Sequence, residues 1–108
     1  MTTANLFINS GKEKATKMLW LWHDGYQLDR IVKEAMEKAK TKKFSLQGME
    51  KLLKKVDFEE AYSSDGRGDW CWALTILDET TAVLSGADSG EAKTVWFDLA
   101  KGNENGKV

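Results

Sequence analysis

Apolar residues recur at helical spacing through the first half of the chain. The first stripe follows the i, i+3, i+4, i+7 rule for one face of a helix and consists of Ala15, Met18, Leu19 and Trp22. Ser10-Gly11 before it is typical of a helix start, and Asp24-Gly25 after it of a helix end. The pattern therefore predicts a first helix between these two signals.

Two further stripes predict two further helices. The members of the second stripe are Leu28, Ile31, Val32, Ala35, Met36 and Ala39. Those of the third are Leu46, Met49, Leu52, Leu53 and Val56. Ser45 fits the N-cap of the third helix, with Phe44 before it placed to pack on Met49. Residues 12–56 are thus expected to form a layer of three helices.

The second half of the chain has a different texture. Ser63–Asp69 is rich in turn residues and predicts a break between helical and sheet layers. From Trp70 to Leu77 the residues alternate between two faces, which predicts a strand. Thr80–Ser85 predicts a shorter second strand, and Asn5–Ile8 a possible third.

A last stripe after the strands again has helical spacing: Ala92, Val95, Trp96, Leu99 and Ala100. Asp88 and Glu91 before it match a capping box. The predicted fold class is therefore α+β, with an N-terminal three-helix layer packed on a small antiparallel β-hairpin or sheet and a C-terminal helix. One compact domain over residues 1–102 and a disordered polar tail over 103–108 are expected.

Five tryptophans in 108 residues are ample for a core. The predicted stripes and strand assign Trp22, Trp70, Trp72 and Trp96 to the interior. Trp20 lies off the stripe of its predicted helix. It is expected either to cover a second packing surface or to be an exposed anchor for a partner, since tryptophan is enriched at interface hot spots.

Charge divides the chain more sharply than its formal net charge of −1 suggests. Residues 1–56 carry a net charge of +6 and residues 57–108 one of −7. Localised patches of both signs therefore predict docking onto a partner. The candidate partner-binding residues are Trp20, Lys42, Lys43, Lys51, Lys54, Lys55, Asp65, Arg67, Asp69, Asp78 and Glu79.

Catalytic and metal-binding motifs are missing from the sequence. His23 and Cys71 are the only residues of their types; the patterns place them at a helix end and inside a strand, and a catalytic Cys–His pair stays the least favoured hypothesis. No zinc-ligand spacing, calcium loop, phosphate-binding loop or dinucleotide motif occurs. No enzymatic activity, catalytic residue, cofactor or metal is therefore predicted.

The short apolar runs and the single cysteine bear on the location of the protein and on its partners. Apolar runs of a few residues fall far short of the ~20 that span a bilayer, and a lone cysteine cannot form an internal disulfide. A cytoplasmic protein without a membrane partner is expected. The favoured hypothesis is a non-enzymatic protein-binding module, an inhibitor or accessory factor of the phage or mobile-element inhibitor or immunity-protein type.

The alternative hypothesis is a nucleic-acid-binding protein. It would use lysine-rich helices over residues 12–17 and 45–56, in an order compatible with a winged helix. Against it stand a sequence pI near 5.8 and an acidic predicted wing, where phosphate contact requires basic residues. The sequence leaves open whether the protein is a monomer or a homodimer.

Overall fold

The computed structural model describes residues 2–61 and 68–101. Six strands and two α-helices make up most of this part of the chain. In chain order they are β1 (Ala4–Ser10), β2 (Ala15–Leu21), α1 (Leu28–Ala39), α2 (Leu46–Lys54), β3 (Phe58–Glu60), β4 (Trp70–Ile76), β5 (Thr81–Ala87) and β6 (Ala92–Asp98). Short 3₁₀ turns occupy Gly25–Gln27 and Leu99–Lys101.

All six strands belong to one mixed sheet in the order β3-β2-β1-β4-β5-β6. The β1–β2 hairpin and the β4–β5–β6 meander meet at its centre, where β1 runs parallel to β4 with Leu6 opposite Trp72. Every other neighbouring pair is antiparallel. Strand β3 therefore forms one edge of the sheet and β6 the other.

Both helices lie on the same face of the sheet, and the core lies between the helices and the sheet. The second and third predicted helices are confirmed: Val32 and Met36 of α1 and Met49 and Leu53 of α2 are buried. The predicted cap is also present, since Ser45 Oγ accepts a hydrogen bond from Gly48 N–H at 3.0 Å. The sheet contributes alternate residues to this core, as a strand with one covered face must.

The aromatic pair of β4 anchors the helix-covered face. The rings of Trp70 and Trp72 stack with centroids 5.3 Å apart, and both are buried as predicted. Trp72 Nε1–H donates to the Gly25 carbonyl at 2.8 Å, which satisfies its only polar atom. On β5, a Cβ at Gly86 would collide with the Trp72 ring, so the indole occupies the space of a missing side chain.

The predicted first helix is wrong, because residues 15–21 form strand β2. Leu19 and Leu21 face the core, whereas Met18 and Trp20 point to the opposite face. An unbroken apolar run from Met18 to Trp22 fits either period, so spacing alone did not distinguish strand from helix. Pairing with β1 on one side and β3 on the other decides the outcome.

The predicted C-terminal helix is wrong for a related reason. Asp88 does not cap a helix; its Oδ1 accepts hydrogen bonds from Gly90 and Glu91 N–H at 2.8 and 2.7 Å and so closes a turn. That turn leads into β6, where of the strand's residues only Phe97 is fully buried. The predicted three-helix layer with a small hairpin and a C-terminal helix is thus replaced by two helices on a six-stranded mixed sheet.

The strand predictions fared better. β4 and β5 match the two predicted strands, and β1 matches the possible third. The predicted tail over 103–108 and most of the turn-rich segment lie outside the described residues. None of the helices described is long and apolar enough to cross a membrane.

Candidate functional site

The two edges of the sheet differ in length and chemistry. Edge strand β3 has three residues, of which Glu59 and Glu60 are exposed. Edge strand β6 has seven, with Lys93 and Asp98 as its charged members. Short length and charge protect an edge from pairing with another chain. By this standard β3 is protected, and β6 is not.

Two hydrogen bonds show which backbone groups of β6 face its neighbour. Asp88 N–H donates to the Glu91 carbonyl at 3.0 Å, just before the strand. Leu99 N–H donates to the Thr80 carbonyl at 2.8 Å, just after it. The residues between keep one antiparallel register, in which bonded and non-bonded positions alternate. Odd-numbered residues of β6 therefore bond to β5.

The even-numbered residues of β6 point their backbone groups away from the sheet. They are Ala92, Thr94, Trp96 and Asp98. Within residues 2–61 and 68–101, no strand pairs with this side of β6. The N–H and C=O groups of these residues form a row of donors and acceptors that an incoming strand can satisfy.

Side chains of β6 divide between the two faces of the sheet. Lys93, Val95 and Phe97 point to the helix-covered face. Thr94 and Trp96 point to the other face, which is called the open face below because neither α1 nor α2 covers it. Trp96 is 48% exposed, so the predicted core position is wrong. Its register partner is Val83 on β5, which is half-buried on the same face.

Helix α1 lies beside this edge, and a cleft separates the two. The α1–β6 cleft encloses about 330 Å³ and is lined by Gln27, Asp29, Arg30, Lys33, Lys93 and Val95. It contains three cations and a single carboxylate. None of its cations forms an ion pair within the part of the chain that the structure describes.

Lys93 is held in place without a carboxylate. Its Nζ donates to the Tyr26 carbonyl at 2.7 Å and lies 5.5 Å from the centroid of the Trp70 ring. Arg30 Nη1 likewise donates to Gln27 Oε1 at 2.7 Å. Neutral oxygens and a ring face orient these cations but leave their charge uncompensated. The cleft is therefore electropositive.

Trp20 lies on the open face at the other side of the sheet. It is half-buried, opposite Asn5 on β1 and Glu59 on β3. Phe7 and Met18, a register pair next to it, are also half-buried. Trp20 does lie off the core, although on a strand and not on the predicted helix. Trp22, predicted to be in the core, is 46% exposed, so that prediction is wrong. Trp96 is more exposed than Trp20 and lies on the β6 edge.

Several predicted charged residues are engaged within the chain. Lys54 Nζ lies 3.3 Å from both Glu50 and Glu60 carboxylate oxygens. Its hydrogen bonds to Glu50 and then Glu60 raise the pKa of Lys54 above its ordinary value. Lys43 and Glu79, predicted as members of opposite patches, approach each other at 3.9 Å.

The predicted aspartates have local structural roles. Asp69 Oδ2 accepts hydrogen bonds from Thr3 N–H at 2.9 Å and from Thr3 Oγ1–H at 3.3 Å, which ties the start of β4 to β1. Asp78 closes the β4–β5 turn, and hydrogen bonds from the Thr80 backbone first, then from Thr81, lower the pKa of Asp78. Asp65 and Arg67 lie outside the described residues.

The remaining predicted lysines lie in the helical layer. Lys42 and Lys43 join Lys40 around a shallow cleft of about 350 Å³ whose floor includes Met49 and Leu52. Lys51 and Lys55 are exposed on α2 and form no ion pair with any other residue described. The structure therefore places Lys42 and Lys43 together, in a cleft whose lining is distinct from that of the α1–β6 cleft.

A cavity of about 650 Å³ lies where β1 and β4 end and α2 begins. Such a position suits ligands in open α/β sheets, and a helix N-terminus attracts anions. Here the chain itself supplies the anion, since Glu13 Oε2 accepts the Leu46 N–H at 3.0 Å. A carboxylate of the chain thus already accepts one of the N–H groups at this helix end.

His23 and Cys71 do not resemble a catalytic centre. His23 Nδ1 and Nε2 lie 3.1 Å from Asp24 and Asp57 carboxylate oxygens, so the histidine links two loops rather than ending a helix. Cys71 is exposed on the open face, not interior as predicted. No group of three or more potential metal ligands occurs among the residues that the structure describes.

Comparison with known proteins adds no assignment. A scan against protein-family models, a search of curated proteins and a search of solved structures each returned no match.

Proposed function

We propose that this chain is a small protein-binding module of the inhibitor or accessory-factor type, which accepts an extended segment of its partner as a seventh strand on β6. The observation that carries the proposal is the outward row of backbone groups at Ala92, Thr94 and Trp96, which no strand described satisfies. Strand addition to an exposed edge is a recurring mode of peptide recognition.

The edge supplies both affinity and an anchor. Each main-chain hydrogen bond of an added strand contributes about 0.5–1.5 kcal/mol net. Trp96, 48% exposed beside the edge, gives the added strand an aromatic surface to cover, and tryptophan is enriched among hot-spot residues. Backbone pairing and one large side chain together are enough for a specific contact of modest area.

A display selection with random peptides of about eight residues tests strand addition without a known partner. The matched variants are Thr94→Pro, which removes an outward N–H, and Thr94→Val, which keeps it. The proposal predicts that the selected peptides bind the wild type and the Thr94→Val variant but do not bind the Thr94→Pro variant. Selected peptides that bind Thr94→Pro equally well, or no selected peptides at all, would overturn it.

Nucleic-acid binding is the second candidate, favoured by the cleft that Lys40, Lys42 and Lys43 line without a carboxylate. The predicted helix over residues 12–17 is absent, since these residues belong to a hairpin tip and β2. Lysines of α2 and the α1–α2 loop would have to supply any phosphate contact. Gel shifts at about 50 mM salt that show no retardation of duplex or single strands would remove this candidate.

A cytoplasmic location belongs to the proposal, because a single cysteine in 108 residues offers no internal disulfide for an oxidising compartment. The likeness to phage and mobile-element inhibitors rests on the small size of the chain and on the lack of catalytic motifs in its sequence.

A further inference from the structure

We infer that the segment added to β6 carries acidic side chains at alternate positions, with apolar side chains between them. The inference rests on the proposed strand addition and names the chemistry of the partner. It joins two features of the same edge: an electropositive cleft on one side of β6 and an exposed tryptophan on the other.

The pleat of the sheet sorts the side chains of an added strand. Residues directly opposite each other on neighbouring strands point to the same face. Partner residues opposite Lys93 and Val95 therefore point toward α1 and enter the α1–β6 cleft. Partner residues opposite Thr94 and Trp96 point to the open face. Alternate positions of the partner thus meet two different environments.

The cleft side favours carboxylates. Arg30, Lys33 and Lys93 surround it, against Asp29 alone, and none of the three cations has an ion-pair partner among the residues described. Lys93 and Lys33 are half-buried, where solvent screens a charge less than at the surface. A glutamate or aspartate side chain that enters the cleft compensates charge that the chain leaves unpaired.

The open-face side favours apolar residues. Val83 is half-buried and Trp96 is 48% exposed in one register row. Thr75, Thr81, Ser85 and Thr94 next to them on the open face are uncharged, and Asp98 at the end of β6 is the one charged neighbour among the residues described. A β-branched or aromatic residue of the partner would remove part of the Trp96 ring from water and gain the usual cross-strand contact.

A second copy of the chain is the disfavoured occupant. Two β6 strands could pair antiparallel about a two-fold axis, since each offers the same outward groups. That arrangement would bring Arg30, Lys33 and Lys93 of one copy next to the same cations of the other. Juxtaposed like charges cost free energy and act against such a pairing, whereas an acidic strand removes the repulsion.

Three fluorescein-labelled peptides of about eight residues test the inference, in which valine alternates with glutamate, glutamine or lysine. Fluorescence anisotropy measures their binding at low and high salt. We expect the glutamate peptide to bind at least about tenfold tighter than the glutamine peptide, the lysine peptide not to bind, and salt to weaken the glutamate peptide selectively.

Two charge reversals locate the effect. Lys33→Glu should weaken the affinity for the glutamate peptide by about tenfold or more and strengthen the affinity for the lysine peptide. Lys55→Glu makes the same charge change on α2, outside the α1–β6 cleft, and should leave both affinities within about twofold. Equal effects of the two reversals would show a response to net charge only and would overturn the inference.

The outcomes separate the inference from the proposed function. If the glutamine peptide binds as tightly as the glutamate peptide and Thr94→Pro abolishes both, strand addition holds and the acidic preference is wrong. If Thr94→Pro changes no affinity, the peptides bind elsewhere and both ideas fail. If no peptide binds, the inference falls while the display selection decides the proposed function. Dimers in sedimentation that Thr94→Pro dissolves would assign the edge to a second copy.

Discussion

The two edge strands of one sheet show opposite solutions to the same problem. Both leave backbone groups unpaired on one side, which invites another chain. β3 limits the exposure to three residues and carries Glu59 and Glu60. β6 extends over seven residues with Thr94, Val95, Trp96 and Phe97 in sequence, a run of high β-propensity. The difference is the reason to propose that β6, and not β3, accepts a strand of a partner.

Their surroundings differ in the same direction. Beside β3, Lys54 bridges Glu50 and Glu60, so the charges of helix and strand compensate each other. Beside β6, the cations of the α1–β6 cleft have no carboxylate partner in the part of the chain described. Lys54 thus pairs with carboxylates beside β3, whereas the cations beside β6 are those that the proposed acidic partner would pair with.

The largest expected effect is a difference in stability between substitutions on the two faces of β6. Phe97→Ala removes a fully buried ring from the core and should cost roughly 3–5 kcal/mol of unfolding free energy. Trp96→Ala, at a half-exposed site, should cost about 1 kcal/mol or less while weakening the selected peptides. Urea unfolding and anisotropy measure the two quantities. A Trp96→Ala loss as large as that of Phe97→Ala would make Trp96 a core residue instead.

The next effect separates the two sides of the β6 backbone. Val95→Pro removes an N–H that bonds to β5 and leaves the carbonyl of buried Leu84 without its partner. We expect a loss of roughly 2–4 kcal/mol. Thr94→Pro removes an outward N–H, a position where proline is tolerated on edge strands, and should cost about 1 kcal/mol or less. Equal losses in urea unfolding would contradict the assigned alternation.

The smallest effect concerns the β3 edge. The carboxylates of Glu50 and Glu60 raise the pKa of Lys54 above its ordinary value of 10.5. The stability that these ion pairs contribute to the folded state is therefore fully present below pH 10.5. It is lost as the pH rises through the higher value in the folded state. Lys54→Gln should therefore flatten the alkaline decline in stability slightly, since the pair is exposed. The control is Lys55→Gln, because native Lys55 forms no ion pair among the residues described. This substitution should leave the alkaline decline unchanged.

The sequence predicted two helices correctly, one from a long stripe and one from a stripe that begins at a cap residue. The α1 stripe extends over three turns, and Ser45 caps α2 as expected. The prediction failed for β2 and β6, where apolar residues fit both periods. Only the pairing of distant segments, β1 with β2 and β5 with β6, selects the strand, and local spacing carries no information about such pairing.

The candidate site was missed because it lies on a strand that spacing had assigned to a helix. Two local signals pointed the other way: the Asp88–Gly90 turn and the β-branched and aromatic run from Thr94 to Phe97. Some residues of the predicted charge patches are paired within the chain. Lys43 lies near Glu79, and Lys54 pairs with Glu50 and Glu60. Arg30 and Lys33 lie far from Lys93 in the sequence, so no local pattern could show that the three cations line one cleft.

Amide hydrogen exchange at β6 tests the central claim most directly. In the free protein, the amides of Val95 and Phe97 should exchange slowly and those of Thr94 and Trp96 quickly, since only the first pair bonds to β5. Binding of the glutamate–valine peptide should slow Thr94 and Trp96 and leave Val95 and Phe97 unchanged. Slow exchange at Thr94 and Trp96 in the free protein, or no change on binding, would show that β6 is not an open edge that accepts a strand.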